Sequence, residues 1–214
     1  VHQSLMATDN EMIPYSVDLP QHNLRFKLPK EIVARLSGAQ IHYEFNTKNP
    51  LYIKNGFYSV AEDIFFFNGP IWTGLYGDFR FDFMIVKKLS DLHGDILTIN
   101  GLSEYLRWWL SKDGQQYNFN FENISISGSP WVRRWKDMLN QRDGGASGEA
   151  EDNEILSCPL DENMFLQVAF QIRDSHTTRS LKWREQAYLF REASKATIVV
   201  EPKKTEVESK TSGH

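Results

Sequence analysis

The chain has 214 residues, of which 41% are hydrophobic and 13% aromatic, so it carries enough apolar surface for one sizeable core. Its formal net charge is −4 and it has no basic block, which argues against nucleic acid as a partner. The single cysteine, Cys158, excludes an internal disulfide and a zinc site of the multi-cysteine kind. No apolar run reaches the roughly 18 residues of a membrane helix, so no transmembrane segment is predicted.

Short alternating runs predict strands along most of the chain. Residues 1–17 are polar and aperiodic, which predicts a loose N-terminal arm. Alternation of apolar and polar side chains predicts strands at 22–28, 41–46, 58–67, 79–86, 117–121 and 164–172, and a last short strand is predicted at 197–201. The run at 131–139 is ambiguous between strand and helix, and strand is favoured. The phase changes after Phe121, which predicts a bulge or tight bend near Glu122 and Asn123.

Three helices are predicted from capping residues and apolar stripes. Pro29 opens the first, at 29–37. Ser103 caps the second, which runs to about residue 113 and has its core stripe at Leu102, Leu106, Trp109 and Leu110. The third, at 180–196, has Trp183, Ala187 and Phe190 on one side.

These elements predict an α+β fold in a single domain at 18–201. Short alternating strands favour a mostly antiparallel, twisted sheet of about seven strands, flanked by two or three helices. Residues 142–154 are glycine-rich and acidic, which predicts a mobile hairpin loop, and residues 202–214 form a polar tail.

Sequence motifs for catalysis are absent. The chain lacks the nucleophile elbow, the phosphate loop, the dinucleotide fingerprint and the zincin helix. Asp91, His93 and Asp95 would share a face on an extended segment and are weak candidates for a metal site, but a solvated loop explains them as well. Cys158 could act as a nucleophile only beside a base, and His93 and His176 are candidates for that base only because they are present. A small buried hydrophobe is the expected role of Cys158. We therefore expect no enzyme activity and no cofactor.

Aromatic residues on a flexible loop give the leading candidate for partner binding. Residues 68–77 are punctuated by glycine and proline, and they carry Ile71, Trp72, Leu75 and Tyr76. A lid folded over the sheet is the alternative. Two further candidates are Trp108, which points away from the helical stripe, and the acidic residues Glu151 and Asp152, which would meet a basic partner.

The last third of the chain has the order of elements seen in a known group of proteins. It reads SPWVRRW, then EILSCPLDENMFLQVAFQIRDS, then LKWREQAYLFREASKATIVVEP. The N-terminal HNLRFKLPKEI, a strand followed by proline, fits the same order of elements. This order resembles bacterial type VI secretion immunity proteins and the related DcrB-like and PsbP-like α+β domains. The resemblance implies an antiparallel sheet flanked by helices, a bacterial source, a cognate toxin or effector as partner, and occlusion of that partner's active site.

Two other functions stay open at this stage. One is an accessory protein of the cell envelope without an inhibitory role, and the other is an enzyme of unrecognised type that uses Asp91, His93 and Asp95. Both the periplasm and the cytoplasm are possible locations, and the resemblance favours the periplasm. The oligomeric state does not follow from the sequence.

Overall fold

A computed structural model describes residues 11–30, 40–68, 75–89, 94–112, 119–137, 151–174 and 182–203. Within these ranges the chain forms ten strands and three helices. The strands are β1 (Met12–Asp18), β2 (His22–Pro29), β3 (Gln40–Ile41), β4 (Phe57–Asn68), β5 (Leu75–Lys87), β6 (Asn120–Ile126), β7 (Ser129–Asp137), β8 (Glu151–Pro159), β9 (Met164–Asp174) and β10 (Val199–Pro202). The helices are α1 (Pro50–Asn55), α2 (Ile99–Lys112) and α3 (Lys182–Lys195).

The strands form two antiparallel sheets. The large sheet has the order β3-β4-β5-β9-β8-β7-β6, and the small sheet has the order β1-β2-β10. The α+β architecture with a mostly antiparallel sheet is thus confirmed. None of the described helices is long and apolar enough to cross a membrane.

The main core lies between one face of the large sheet and a layer made of the small sheet and α3. Phe26 of β2 stacks on Phe83 of β5 with ring centroids 4.3 Å apart, and Phe190 of α3 packs on Phe79. The five residues predicted to alternate along β9 are all buried on this face: Met164, Leu166, Val168, Phe170 and Ile172. The α3 stripe of Trp183, Ala187 and Phe190 is buried in the same core cluster, as the helical period predicts.

A second, smaller core lies on the opposite face, under α2. There Leu102, Tyr105 and Leu106 pack with Val132 and Phe165. Trp109 and Leu110, which the sequence places on the core stripe, are only half-buried, and Tyr105 takes the buried position instead. Because α2 lies mainly over β6, β7 and β8, the remainder of this face is not covered by a described element.

The N-terminal predictions need correction. Residues 12–17, assigned to a loose arm, form β1 and pair in register with β2, because the backbone ladder compensates for a weakly apolar sequence. Pro29 ends β2 and does not open a helix, and residues 31–39 lie outside the described ranges. The strand predicted at 41–46 pairs only at Gln40 and Ile41, followed by an isolated bridge between Glu44 and Asp18.

Predicted boundaries in the middle of the chain also move. The cap of α2 is Thr98, whose Oγ1 accepts a hydrogen bond from the backbone of Gly101 at 3.1 Å, so Ser103 lies inside the helix. The bulge predicted near Glu122 and Asn123 is absent, since β6 pairs with β7 in continuous register. The strand chosen over a helix at 131–139 is present as β7.

Residues at the edges of both predicted hairpin loops belong to the flanking strands. Asn68 ends β4 and Leu75 begins β5, which leaves 69–74 outside the described residues. Likewise β8 begins at Glu151, so only 138–150 of the acidic connection is undescribed. At the C-terminal end, Pro202 belongs to β10, and the backbone N–H of Lys203 still bonds the carbonyl of Gln21 at 2.8 Å.

Candidate functional site

The face of the large sheet beside α2 is the best-formed candidate site in the described residues. We call it the open face and define it by the outward side chains of β4 and β5, together with Gln167, Ala169 and Gln171 of β9 and Asn153 and Ile155 of β8. Strand periodicity places them there, because they are out of phase with the residues that face α3. Alternate residues of each strand therefore face the core, and the residues between them face this surface.

Three large apolar side chains of β4 lie on the open face. Phe57, Ile64 and Phe66 are 48%, 36% and 47% exposed. Their cross-strand partners on β5 are Val86, Arg80 and Asp78. A sheet face that meets water normally carries polar side chains, so a row of aromatic and aliphatic side chains at the rim of this face is unusual.

Charged side chains lie beside this apolar row. The carboxylate of Asp78 is nearly buried and accepts from Arg80 Nε at 2.7 Å and from Arg173 Nε at 3.4 Å. One carboxylate thus holds two half-buried guanidinium groups. Among the described side chains, this end of the open face therefore carries two positive charges around one negative charge.

Asp82 carries the other carboxylate of β5 on this face. Burial raises its pKa to about 6, and the hydrogen bond that Ser59 Oγ donates to Asp82 Oδ1 at 2.6 Å works in the opposite direction. The nearby negative charge of Glu62 raises the pKa further. Asp82 therefore changes charge in mildly acidic solution.

Two neighbouring cavities open on this surface and share Met84 and Gln167. The first, of about 250 Å³, is polar and includes Arg80, Asp82 and Asn153 in its lining. The second, of about 330 Å³, lies against α2 and is mainly apolar. Its apolar lining consists of Phe57, Met84, Val86, Leu89, Tyr105 and Trp109. Together they make a groove that is polar at one end and apolar at the other.

A buried arginine lies behind this groove. Arg134 of β7 is only 2% exposed, and its Nη2 donates to Gln167 Oε1 at 2.7 Å. Arg134 forms no ion pair with any described residue, and its Nε has no hydrogen-bond partner there. Burial lowers the pKa of its guanidinium to about 10, so the group still carries its charge at neutral pH. A buried cation without a described counter-charge is costly, which marks this position as unusual.

The structure does not test the metal and catalytic candidates as a group, because most of them lie outside the described residues. Asp91, His93 and His176 lie outside the described residues. Asp95 is exposed, and its Oδ1 accepts from the backbone of Leu97 at 2.9 Å in the turn before α2. Cys158 is buried in the main core, where burial raises the pKa of its thiol to about 12. Its environment is that of a small buried hydrophobe.

The partner-binding candidates are placed in several different environments. Ile71 and Trp72 lie outside the described residues, and Leu75 is the first residue of β5. Tyr76 is half-buried against the main core cluster. Trp108 is half-buried too, with Lys112 Nζ 3.8 Å from its ring centroid.

The acidic candidates Glu151 and Asp152 belong to strand β8 and not to a solvated loop. Asp152 is 8% exposed, and its Oδ1 lies 3.2 Å from Arg191 Nη1. Its charge is already paired inside the protein, which disfavours its assignment to a partner surface.

Sequence reasoning missed the open face, although a signal for it exists. The sequence prediction for the run from Met164 to Ile172 concerns only the alternate residues that face the core. The other phase includes Gln167 and Gln171, the polar members that line the groove. Glutamines at the alternate positions of an otherwise apolar strand indicate that the side of the sheet opposite to the main core is a separate surface.

Comparison with known proteins gives little further information. No family model matches the chain, and no curated protein matches it. Among solved structures, the chain is similar to LpqN of Mycobacterium tuberculosis, described as involved in cell envelope biogenesis. The TM-score is 0.43 at 7% identity, over 91% of this chain and 94% of that chain. A likeness at this level assigns neither a family nor a function.

Proposed function

We propose that this protein is a protein-binding module without catalytic activity, and that the open face of the large sheet is its interface. The observation that carries the proposal is the row on β4, each member more than a third exposed on one sheet face. Ile64 and Phe66 are neighbours in it, and Phe57 lies at its other end beyond Ser59 and Glu62. Exposed apolar patches of this kind on a stable domain mark interaction surfaces.

The surroundings of the row have the organisation of an interface. Large apolar side chains supply most of the binding free energy when a partner removes them from water. Charged groups around them set the orientation of the partner, and Arg80, Arg173 and Asp78 have that position here. We therefore expect the partner to present an apolar patch flanked by acidic side chains, which would complement the two arginines.

The resemblance in the sequence suggests a class of partner. If this protein acts as the immunity proteins it resembles, the partner is a toxin or effector, and the open face covers its active site. Binding would then inhibit the toxin stoichiometrically without any chemistry on the part of this protein.

The experiment is a comparison of charge-introducing variants in the organism that encodes the protein. We would tag the wild type, the double variant Ile64→Lys/Phe66→Lys and the control variant Leu189→Lys, and identify co-purifying proteins. Leu189 is a matched control because it is a 60% exposed apolar residue on α3, which covers the opposite face of the sheet. All three positions are exposed, so the variants should keep the parent's melting temperature within a few degrees.

We expect one partner to be recovered with the wild type and with Leu189→Lys, and to be lost with the double variant. The affinity of the purified pair should then fall at least about thirtyfold in the double variant, as for loss of a central anchor. The proposal fails if the folded double variant retains the same partner at the same affinity. It also fails if the face only joins two copies of this chain, which light scattering would show as a dimer of the wild type that the double variant does not form.

A further inference from the structure

We infer that the apolar cavity beside α2 binds a small carboxylate amphiphile of the medium-chain fatty acid type, with its chain against Trp109 and its head at Gln167. This inference concerns a small molecule and does not depend on the protein partner proposed above.

The lining of the cavity indicates that most of the ligand is apolar. Aromatic and aliphatic side chains from three regions converge there: Phe57 from β4, Val86 and Leu89 from the end of β5, and Tyr105 and Trp109 from α2. A preformed concave site of about 330 Å³ with such a lining is typical of a pocket for an apolar small molecule. Leu89 is 58% exposed at its rim, and a bound chain would cover it.

The sign of the head group follows from the charges around the cavity. Lys87 is the one charged residue in its lining, and no carboxylate lines it among the described residues. Behind Gln167 lies the guanidinium of Arg134, which no described carboxylate neutralises. Asp82 lines only the polar cavity, on the far side of Met84 and Gln167. The apolar cavity is therefore electropositive and complements an anion.

The orientation of the Gln167 amide supplies a donor for that anion. Its Oε1 is occupied by Arg134 Nη2 at 2.7 Å, so its Nε2 is the atom left for a ligand. A carboxylate that accepts from Nε2 would lie next to a buried positive charge, where a charge-assisted hydrogen bond is strong. Lys87 is exposed, and a pair with it would be weakened by solvent. The head therefore belongs at Gln167.

A free amphiphile fits the cavity better than a polypeptide segment does. Asn55 and Gly56, at the end of α1, line the cavity together with Leu89. A cavity of about 330 Å³ holds a chain of about ten carbons, and it leaves little room for a backbone that continues beyond it.

The test compares three probes that differ only in the head group: decanoate, decanol and decylamine. Each is titrated into the full chain by calorimetry below its micelle-forming concentration, at neutral pH. We expect the affinity for decanoate to be at least about tenfold higher than the affinity for the other two probes. This factor corresponds to the free energy of one charge-assisted hydrogen bond to a buried donor. Equal affinity for decanoate and decanol, or no binding of any probe, would overturn the inference.

Variants separate the contribution of the head from that of the chain. Gln167→Leu should remove the preference for decanoate and leave decanol binding unchanged, which also shows that the variant is folded. Trp109→Ala should weaken decanoate and decanol by the same factor. Gln186→Leu, an exposed position on α3, is the matched control and should bind as the wild type does.

Two further results keep this site distinct from the protein interface. Lys87→Met should keep the preference for decanoate, and loss of the preference in that variant would refute the assignment of the head to Gln167. The double variant Ile64→Lys/Phe66→Lys, at positions that do not line the apolar cavity, should lose the protein partner but bind decanoate normally. Each proposal can therefore fail while the other stands.

Discussion

Arg191 of α3 forms an ion pair with Glu154 of β8, with Nε 3.0 Å from Oε2, and the Glu154 side chain has no exposed surface. Arg133 Nε and Lys195 Nζ lie 2.6 Å and 3.2 Å from Glu154 Oε1. One buried carboxylate therefore connects the helix to two strands of the large sheet. The same Arg191 also reaches Asp152 at 3.2 Å.

Removal of this carboxylate should destabilise the fold strongly. Glu154→Gln leaves three cations around a neutral amide, and the expected loss is about 3–5 kcal/mol in the free energy of unfolding. Urea unfolding followed by circular dichroism measures it. Glu192→Gln is the control, because Glu192 pairs with Arg191 and Lys195 but is half exposed, and it should cost no more than about 1 kcal/mol. Similar losses in the two variants would contradict the role assigned to burial.

Asp82 should make the stability of the protein depend on pH. Burial raises its pKa from 3.8 to about 6, so the folded state binds this proton more tightly than the unfolded state. The protonated form of Asp82 therefore favours folding at low pH. This contribution to the free energy of unfolding is lost as the pH rises from about 4 through about 6.

Neutralisation of Asp82 tests that sign. Asp82→Asn keeps the shape and the contact with Ser59, and it should stabilise the protein by about 1–3 kcal/mol at pH 8, since one pKa unit corresponds to about 1.4 kcal/mol. The gain should shrink at pH 5. Glu185→Gln, at an exposed position on α3, is the matched control variant. Equal free energies of unfolding for Asp82→Asn and the wild type at pH 8 would refute the prediction.

Cys158 should report on unfolding. It is buried, and its thiol has a pKa raised to about 12 by burial, so the reactive thiolate is scarce at neutral pH. We expect a thiol reagent such as Ellman's reagent to label the native protein only through opening of the fold, and to label it quickly in denaturant. Cys158→Ala should keep the interaction with the partner. Fast stoichiometric labelling of the native protein would contradict the buried position.

Gly77 illustrates a constraint that the sequence hides. A Cβ at this position would lie 2.4 Å from the carbonyl oxygen of Arg173 and 2.4 Å from the Trp183 ring. Gly77→Ala should therefore destabilise the protein by about 1–3 kcal/mol or more through overpacking. Gly128 is the contrast: it has a φ of 82° but open space around it, so Gly128→Ala should cost only about 1 kcal/mol from backbone conformation. Thermal melts of both variants give the comparison.

The sequence predicts the features that depend on local period and misses those that depend on tertiary neighbours. The alternation of Met164 to Ile172 and the α3 stripe at Trp183 and Phe190 follow from period two and period 3.6, and both are observed. Gly77, in contrast, was assigned to a flexible loop because glycine favours loops, whereas the reason for glycine is a tryptophan 106 positions later in the chain.

The acidic segment before β8 shows the same limit. A run of acidic residues without an apolar anchor is typical of a solvated loop, and Asp152 and Glu154 were read in that way. Their counter-charges, Arg191 and Lys195, lie on a helix about 40 residues away, at sequence separations of 39 and 41. No local pattern predicts such pairing. The open face was missed for a related reason, since it exists only where α2 leaves the sheet uncovered.

The connection between β4 and β5 supplies the last prediction. Trp72 lies in this connection, outside the described residues, and the strands that hold it carry Phe66 and Arg80 on the open face. If the loop belongs to the interface, Trp72→Ala should reduce partner affinity by about 2 kcal/mol or more, roughly thirtyfold, with little change in melting temperature. If Trp72 is instead a lid on the core, as the half-buried Tyr76 is, the melting temperature should fall and the affinity per folded molecule should stay constant. Measurement of both quantities on Trp72→Ala separates the two. A destabilised variant that binds the partner at full strength would remove Trp72 from the interface and leave Phe57, Ile64 and Phe66 as its apolar anchors.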